Sequence, residues 1–425
     1  MASTPTLVPV AVVGGGQAGL SISYHLKRHG IDHVVFERKT AMHVWEDGRW
    51  DSFCLVTPNW QCDLPGHPYD GPDPDGFMKR EDLVGYLARF RQMVDAPLRE
   101  GVLVLRVARG DGGAFDVATS AGDFIAGQVV AASGGYTIPI IPRIAERVPP
   151  RIVQLHSEQY RNPAALPPGA VLVVGSGQSG AQIAEDLHLA GRTVHLAVGN
   201  APRCARFYRG RDVVAWLADM GYYDMPVDEH PLREGVRDNS NHYVTGRDGG
   251  RDIDLRRFAR EGMQLYGELA GVDGHAFWFR PTLRASLDAA DQTYNRINAG
   301  IDRHIAERGI ETPPPSVYVP VWEPQVEAAS LDLDAASVSA IIWCIGFRPD
   351  FGWLDAAVFN GAGHPRHRRG VTSENGLFFL GLPWLHTWGS GRFSAVGRDA
   401  GYIAERIAEN LGVSGTAARE RAMAG

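Results

Sequence analysis

The 425-residue chain has only four cysteines, Cys54, Cys62, Cys204 and Cys344. No two of them form a C-x-x-C pair or a metal-ligand spacing, so the sequence offers no adjacent dithiol for disulfide chemistry and points to no metal. Each reads most simply as a small buried hydrophobe. Long apolar runs are missing too. No stretch approaches the ~18 residues of a membrane span, and the opening MASTPTLVPV lacks the basic segment of a secretory signal. A cytoplasmic protein with no membrane partner is the expectation. Positive charge is not in surplus either: with 42 Lys and Arg against 49 Asp and Glu, a net charge of −7 and a pI near 6.1, electrostatics gives no case for a nucleic-acid partner. What remains is an ordinary globular composition, 44% hydrophobic and 21% charged, at a length that suggests two or three domains.

Glycine, by contrast, is plentiful, and it falls twice into one pattern. VAVVGGGQAGLSISYHL at 10–26 and VLVVGSGQSGAQIAEDL at 171–187 both carry G-x-G-x-x-G, as Gly14, Gly16, Gly19 and as Gly175, Gly177, Gly180. With 50 glycines in 425 residues, chance alone supplies roughly 0.7 bare matches, so the motif needs its context. Each match follows an apolar β-rich run and opens a segment of helical apolar spacing, which predicts a strand, a tight turn and a helix. In that arrangement the first glycine makes the turn, the second lets backbone approach a pyrophosphate, and the third lets the helix pack on the strand. The helix N-terminus adds free N–H groups and a partial positive charge. Gln17 and Ala18 in the first loop, and Gln178 and Ser179 in the second, fall within the same candidate sites. Two tight turns without a ligand are the plain structural alternative.

The second strands separate the two ligands. HVVFE ends on Glu37, 18 residues beyond Gly19, where a carboxylate accepts hydrogen bonds from ribose hydroxyls. Arg38 follows and is counted with it. In the second unit, TVHLAVGNAPRCARFYRGRD puts Val198 at the matching place and then offers Arg203 and Arg206, with Arg209 and Arg211 beyond. A guanidinium pairs with a 2′-phosphate where a carboxylate repels it, so these residues favour FAD on the first loop and NADPH on the second, with Arg203 as the preferred phosphate ligand. A solvated arginine loop is the alternative. Two nucleotide units in one chain bring a flavin against a nicotinamide for hydride transfer.

The layout follows. Residues 1–165 and 331–425 make a discontinuous FAD-binding domain, and 166–330 an NADPH-binding domain with a long insertion at about 205–290. The fold class is α/β, with two Rossmann-like dinucleotide-binding domains. Residues 103–136 read as three short strands, 338–347 and 376–381 as buried strands, and 396–412 as a terminal helix. Within the insertion, YVTGRDGGRDIDLRRFAREGMQLYGEL reads as a hairpin-like turn and an amphipathic helix. Trp216, Tyr222, Tyr223, Phe277, Trp278 and Phe279 are there to line an apolar pocket or to cover the domain's own core.

Over nearly all 425 residues the chain resembles the class B flavoprotein monooxygenases, most nearly the bacterial flavoproteins of the CzcO type. The resemblance rests on the two glycine motifs, VWEDGRWDSFCLVTPNW at 44–60, FMKREDLVGYLARF at 77–90, LHSEQYRNP at 155–163, IGFRPDFGWL at 345–354 and GLPWLHTWGSG at 381–391. It implies a glutathione-reductase-like two-domain flavoprotein that uses FAD, NADPH and O2. One oxygen atom passes through a flavin C4a-(hydro)peroxide to a small or medium-sized substrate at nitrogen, sulfur or activated carbon. There are departures. Of the family fingerprint F-x-G-x-x-x-H-x-x-x-(F/Y), His156 and Tyr160 fit, but Pro150 and Ile152 stand where Phe and Gly belong, and Cys344-Ile345-Gly346 replaces the usual Ala-Thr-Gly. Tyr160 argues against the Baeyer–Villiger branch, which stays open, as does an NADPH oxidase or sensor without productive oxygenation. By resemblance Trp45 and Trp50 border the isoalloxazine and His386 and Trp388 lie near it; Val107 is counted with the flavin residues. Asn59 is the one catalytic candidate, donating to flavin or peroxide oxygen, with a turn role beside Pro58 as the alternative. A homo-oligomer is left open.

Overall fold

The computed structural model describes residues 4–413. Strand β1 (Thr6–Val13) begins exposed and is fully buried from Val10 onward, because its apolar run is covered on both faces of a sheet. Parallel neighbours flank it, β2 (His33–Glu37) on one side and Gly122–Ala131 on the other. The sheet has eight strands. Beyond β2 lies Leu98–Glu100; beyond Gly122–Ala131 an antiparallel meander runs through Phe115–Thr119 and Val104–Arg109, with which Leu354–Asp355 pairs in parallel. The short strand Leu377–Phe379 pairs in parallel with Gly122–Ala131 and closes the sheet from far along the chain. Helix α1 (Gln17–Arg28) packs against Val396–Asn410, burying Leu20, Ile22 and Leu26 with Ile403 and Ile407.

A second sheet has five strands, all parallel, in the order Val153–His156, Val338–Trp343, Ala170–Val174, Val194–Ala197 and Gln264–Tyr266. The two Rossmann-like sheets expected from the doubled glycine motif are thus both present. The second takes strands from outside 166–330, since Val153–His156 and Val338–Trp343 belong to it. It is covered by the helix Gln178–Leu189, while the 26-residue helix Leu283–Arg308 buries Leu283 and Leu287 in the same core.

The insertion is more ordered than its polarity suggests. The expected hairpin-like turn is there, closed by a bridge between Thr245 and Arg251, but the amphipathic helix is only Leu255–Arg260. Gly262, at φ 114°, then turns the chain, and Gln264–Tyr266 adds the edge strand of the parallel sheet. Its aromatics mostly cover cores: Phe277 and Phe279 sit under the second sheet and Trp216 in a separate cluster, whereas Trp278, on the opposite face of the same strand, is exposed. Tyr222 and Tyr223 instead meet Trp384 and Trp388. Among the described residues no helix is long and apolar enough to cross a membrane.

Helix-to-strand packing in both units depends on the last motif glycine. A Cβ on Gly19 would stand 1.8 Å from the Gly14 carbonyl oxygen, and one on Gly180 1.8 Å from that of Gly175. Since backbone is what would have to move, Gly180→Ala should destabilise the protein by at least ~2 kcal/mol. Scanning calorimetry should show a clearly lowered melting temperature for it and none for Gly177→Ala, whose Cβ would meet nothing within 4 Å.

Candidate functional site

Both glycine loops have one geometry. Gly14 sits at φ 116° and Gly175 at φ 100°, and a Cβ on either would strike backbone carbonyl oxygen, Ala132 O at 2.5 Å and Cys344 O at 2.6 Å. These are turn glycines by necessity. The middle glycines differ: a Cβ on Gly16 or Gly177 would find no protein atom within 4 Å, and each caps its helix without any side-chain hydrogen bond. An open face above uncapped helix N–H groups is what a pyrophosphate requires, so these residues fit the nucleotides expected. Gln17 and Gln178, at the first helical positions, reach to Gly391 O (3.4 Å) and Val244 O (2.6 Å). Ala18 is buried under Gly381, and Ser179 is half-buried on the first turn of its helix.

The strand ends diverge. In the first unit Glu37 Oε2 accepts the Gly15 N–H at 2.8 Å and Oε1 the Lys39 N–H at 2.9 Å, so the carboxylate is fixed beside the loop. Arg38 is exposed next to it. In the second unit, Ala197 pairs with Val174 as Phe36 pairs with Val13, which puts Val198 in the place of Glu37. The loop is held there by a neutral contact, Gly199 N–H to Ser176 Oγ at 3.0 Å.

Arg203 and Arg206 are not presented to that strand end. The Arg203 side chain is 2% exposed, with Nε 2.8 Å from Asp291 Oδ1 and its guanidinium between the rings of Tyr318 (3.9 Å) and Tyr294 (4.6 Å). Burial works against its charge, but Asp254 and Asp291 hold its pKa above the ordinary value. Arg206, 1% exposed, binds Asp212 at 2.6 Å and Val56 O at 2.7 Å. Arg209 pairs with Asp302 at 2.8 Å and Arg211 with Asp219. The sequence showed the cations but not their acids, which lie up to 93 residues away.

Other candidates are also redistributed. Trp45 stands beside the first loop, its indole N–H to Gln17 Oε1 at 3.4 Å, flanked by Phe393 and by the Arg49 guanidinium at 4.7 Å. Trp50 is instead buried against Phe53 and Tyr160. Val107 is fully buried in the meander, with its N–H on Trp353 O at 2.7 Å, so it is a core residue. Asn59 is buried, its Oδ1 accepting from Met78 N–H (2.7 Å) and its Nδ2 donating to Asp73 O (2.9 Å). This amide holds the 73–78 loop, and the turn role replaces the catalytic one. His386 is half-buried and its pKa is lowered by burial, leaving it neutral at pH 7; its carbonyl accepts the Val227 N–H at 2.6 Å.

Residues that sequence reasoning passed over tie the two units together. Asp186, on the helix after the second loop, accepts Ser52 Oγ, Arg247 Nη1 and Tyr160 Oη, each at 2.6 Å. Ser52 follows the Trp45–Trp50 stretch, Tyr160 lies between two strands of the second sheet, and Arg247 is in the insertion, so the Ser52 bond is the one of the three that reaches the first unit. Nearby, the His156 ring bonds to Gly346 O at 3.1 Å while its Nδ1 accepts from Glu158 N–H at 3.4 Å. The Glu-Asp pair in GAQIAEDL was the available signal: adjacent acids on the buried face of an otherwise apolar helix require partners.

Residues 11–219 match the family model described as pyridine nucleotide-disulphide oxidoreductase. An oxidoreductase designated CzcO-like from Geobacillus kaustophilus is 29% identical over 408 residues, covering 94% of this chain and 98% of its own. Among solved structures, a flavin-containing monooxygenase from Stenotrophomonas maltophilia superposes with a TM-score of 0.64 at 20% identity, over 96% of this chain and 99% of its own. The ornithine N-hydroxylase of Kutzneria sp. 744, solved with FAD and NADP+, gives 0.62 at 17%, over 96% and 100%. The chain therefore has the two-domain fold of these flavoproteins, and its likeness to oxidoreductases in sequence agrees with the expected class.

Two measurements test the site. Gly16→Val should fold but purify without flavin, and Gly177→Val should stay yellow while losing flavin reduction by NADPH; a yellow Gly16 variant beside a colourless Gly177 variant would reverse the assignment. Tyr160→Phe removes one of three donors to a buried carboxylate and should lower stability by about 1–3 kcal/mol with flavin content retained. Denaturant titration of the flavin-loaded protein reads it, and an unchanged midpoint would mean that the bond contributes nothing.

Proposed function

We propose that this chain is an FAD- and NADPH-dependent monooxygenase that transfers one oxygen atom of O2 to a small or medium-sized substrate at nitrogen, sulfur or activated carbon, in the cytoplasm. The observation that carries this is the pairing of two pyrophosphate cradles of one geometry but unlike strand ends, joined through Asp186. Sheet membership supports a division in which residues 153–343 form the coenzyme unit, somewhat wider than 166–330, and the flanking segments form the flavin unit.

The chain's own residues have distinct tasks in this reading. Gly16 and Gly177 admit the two pyrophosphates, and Glu37 accepts the adenosine ribose hydroxyls of FAD. When bound, FAD supplies the ring that takes electrons from NADPH and reacts with O2. Trp45, Phe393 and Arg49 cover the side of the first loop and limit water there. Asp186 orients the helix that carries the coenzyme relative to Ser52 and Tyr160. No side chain is nominated as a general base. A disulfide reductase on the same plan is disfavoured because all four thiols are buried and held protonated: burial raises Cys54 to about 11 and Cys62 and Cys204 to about 12, and raises Cys344 as well.

Substrate panels decide between this reading and its alternatives. NADPH oxidation, O2 uptake, H2O2 and product should be measured together with amines, sulfides, indoles and cyclic ketones. Coupled product from one of the first three classes is expected. Lactone formation from ketones alone would restore the Baeyer–Villiger reading, and stoichiometric H2O2 with every compound would leave an oxidase.

A further inference from the structure

We propose that the second nucleotide site does not discriminate between NADPH and NADH, because the position that reads the adenosine 2′ substituent carries no charge of either sign. The proposal rests on the reading of the second loop as the nicotinamide coenzyme site and specifies its selectivity.

The register identifies the position. Val198 stands where Glu37 stands, so Gly199 and Asn200 match Arg38 and Lys39 of the first unit. A carboxylate at this strand end accepts from a 2′-hydroxyl and repels a 2′-phosphate, whereas a guanidinium attracts the phosphate. Here the strand end has a buried aliphatic side chain, then no side chain, then an exposed neutral amide. The hydrogen bond that Glu37 makes to its own loop is replaced by the uncharged Gly199 to Ser176 contact at 3.0 Å.

The cations that follow in sequence are already neutralised. Arg203, Arg206, Arg209 and Arg211 each hold an aspartate, namely Asp291, Asp212, Asp302 and Asp219. The turn lying over the second helix is likewise paired, Arg247 with Asp186 at 2.6 Å and Arg251 with Glu185 at 3.1 Å. Recruiting Arg203, Arg206 or Arg247 to a phosphate would leave a buried carboxylate without its partner, which opposes the move, whereas Arg211 and Asp219 form an exposed pair.

Gly199 also supplies a decisive variant. Its φ is not in the left-handed region and a Cβ there would meet nothing within 4 Å, so Gly199→Arg is compatible with the fold and places a guanidinium at the strand end. The experiment is calorimetric titration of the oxidised, FAD-loaded protein with NADP+ and NAD+, with the rate of flavin reduction by NADPH and NADH as a second readout. For the parent protein the two dissociation constants should agree within about tenfold, since every tenfold needs a discriminating interaction worth one charge-assisted bond or more. Gly199→Arg should tighten NADP+ at least tenfold and leave NAD+ within about threefold. A parent preference for either coenzyme above tenfold, or a Gly199→Arg variant that shifts both coenzymes equally or neither, overturns the proposal. Failure to bind either coenzyme is a different result: it removes the coenzyme-site reading itself.

Discussion

The Asp186 carboxylate, 4% exposed, collects a hydroxyl from Ser52 in the first unit, a phenol from a connection within the second sheet and a guanidinium from the insertion. Nothing else in the described residues joins so many distant parts of the chain at one atom pair. A buried anion is tolerated only when its oxygens are saturated by donors, and removal of one partner of such a group typically costs ~3–5 kcal/mol. The two units therefore have little freedom to choose their relative placement. Were the helix Gln178–Leu189 to slide, the carboxylate would be left without its donors. The Ser52 bond is one of several that run between the two units, with Arg206 to Val56 O and Val227 N–H to His386 O among the others.

Around that fixed point the two units have kept what the backbone demands and changed what it does not. Gly14, Gly19, Gly175 and Gly180 all face carbonyl oxygen at distances no side chain permits, so the turns are the same in both. Past the second strand of the second unit the packing loosens: Val198 is buried, but a Cβ on Gly199 would meet nothing within 4 Å and Asn200 is exposed, so those positions are freer to differ. Selectivity of a dinucleotide fold is thus separable from its stability: the two properties reside on positions such as Gly180 and Gly199, 19 residues apart, and only the first is packed against backbone.

The same distinction explains what could be read from the sequence. Strands, glycine turns and the terminal helix are local in cause, and they lie where apolar spacing put them, from Thr6–Val13 to Val396–Asn410. The position of Glu37 beside the first glycine loop was legible because it is set by its place at the end of a strand. Arg203 was not, because its fate is decided by Asp291, 88 residues on, and by two tyrosines on elements that sequence spacing does not bring near. Asn59 was misread for a related reason: both of its bonds go to backbone, which has no residue identity to recognise. The missing strand at Gln264–Tyr266 is three residues long, too short for a period to register.

The pairing of Leu377–Phe379 with Gly122–Ala131 has a bearing on how the protein is made. The ribosome delivers the first partner almost 250 residues before the second, an interval of roughly 12–50 s at ordinary rates of synthesis. During that interval the second sheet, complete once Val338–Trp343 has emerged, is able to close on its own. The first is held as an unfinished edge whose central strand is almost wholly apolar. A nascent chain of this kind is exposed to self-association on the flavin side, and early capture of the flavin by the finished glycine loop is one means of keeping that edge in register until its last strand arrives.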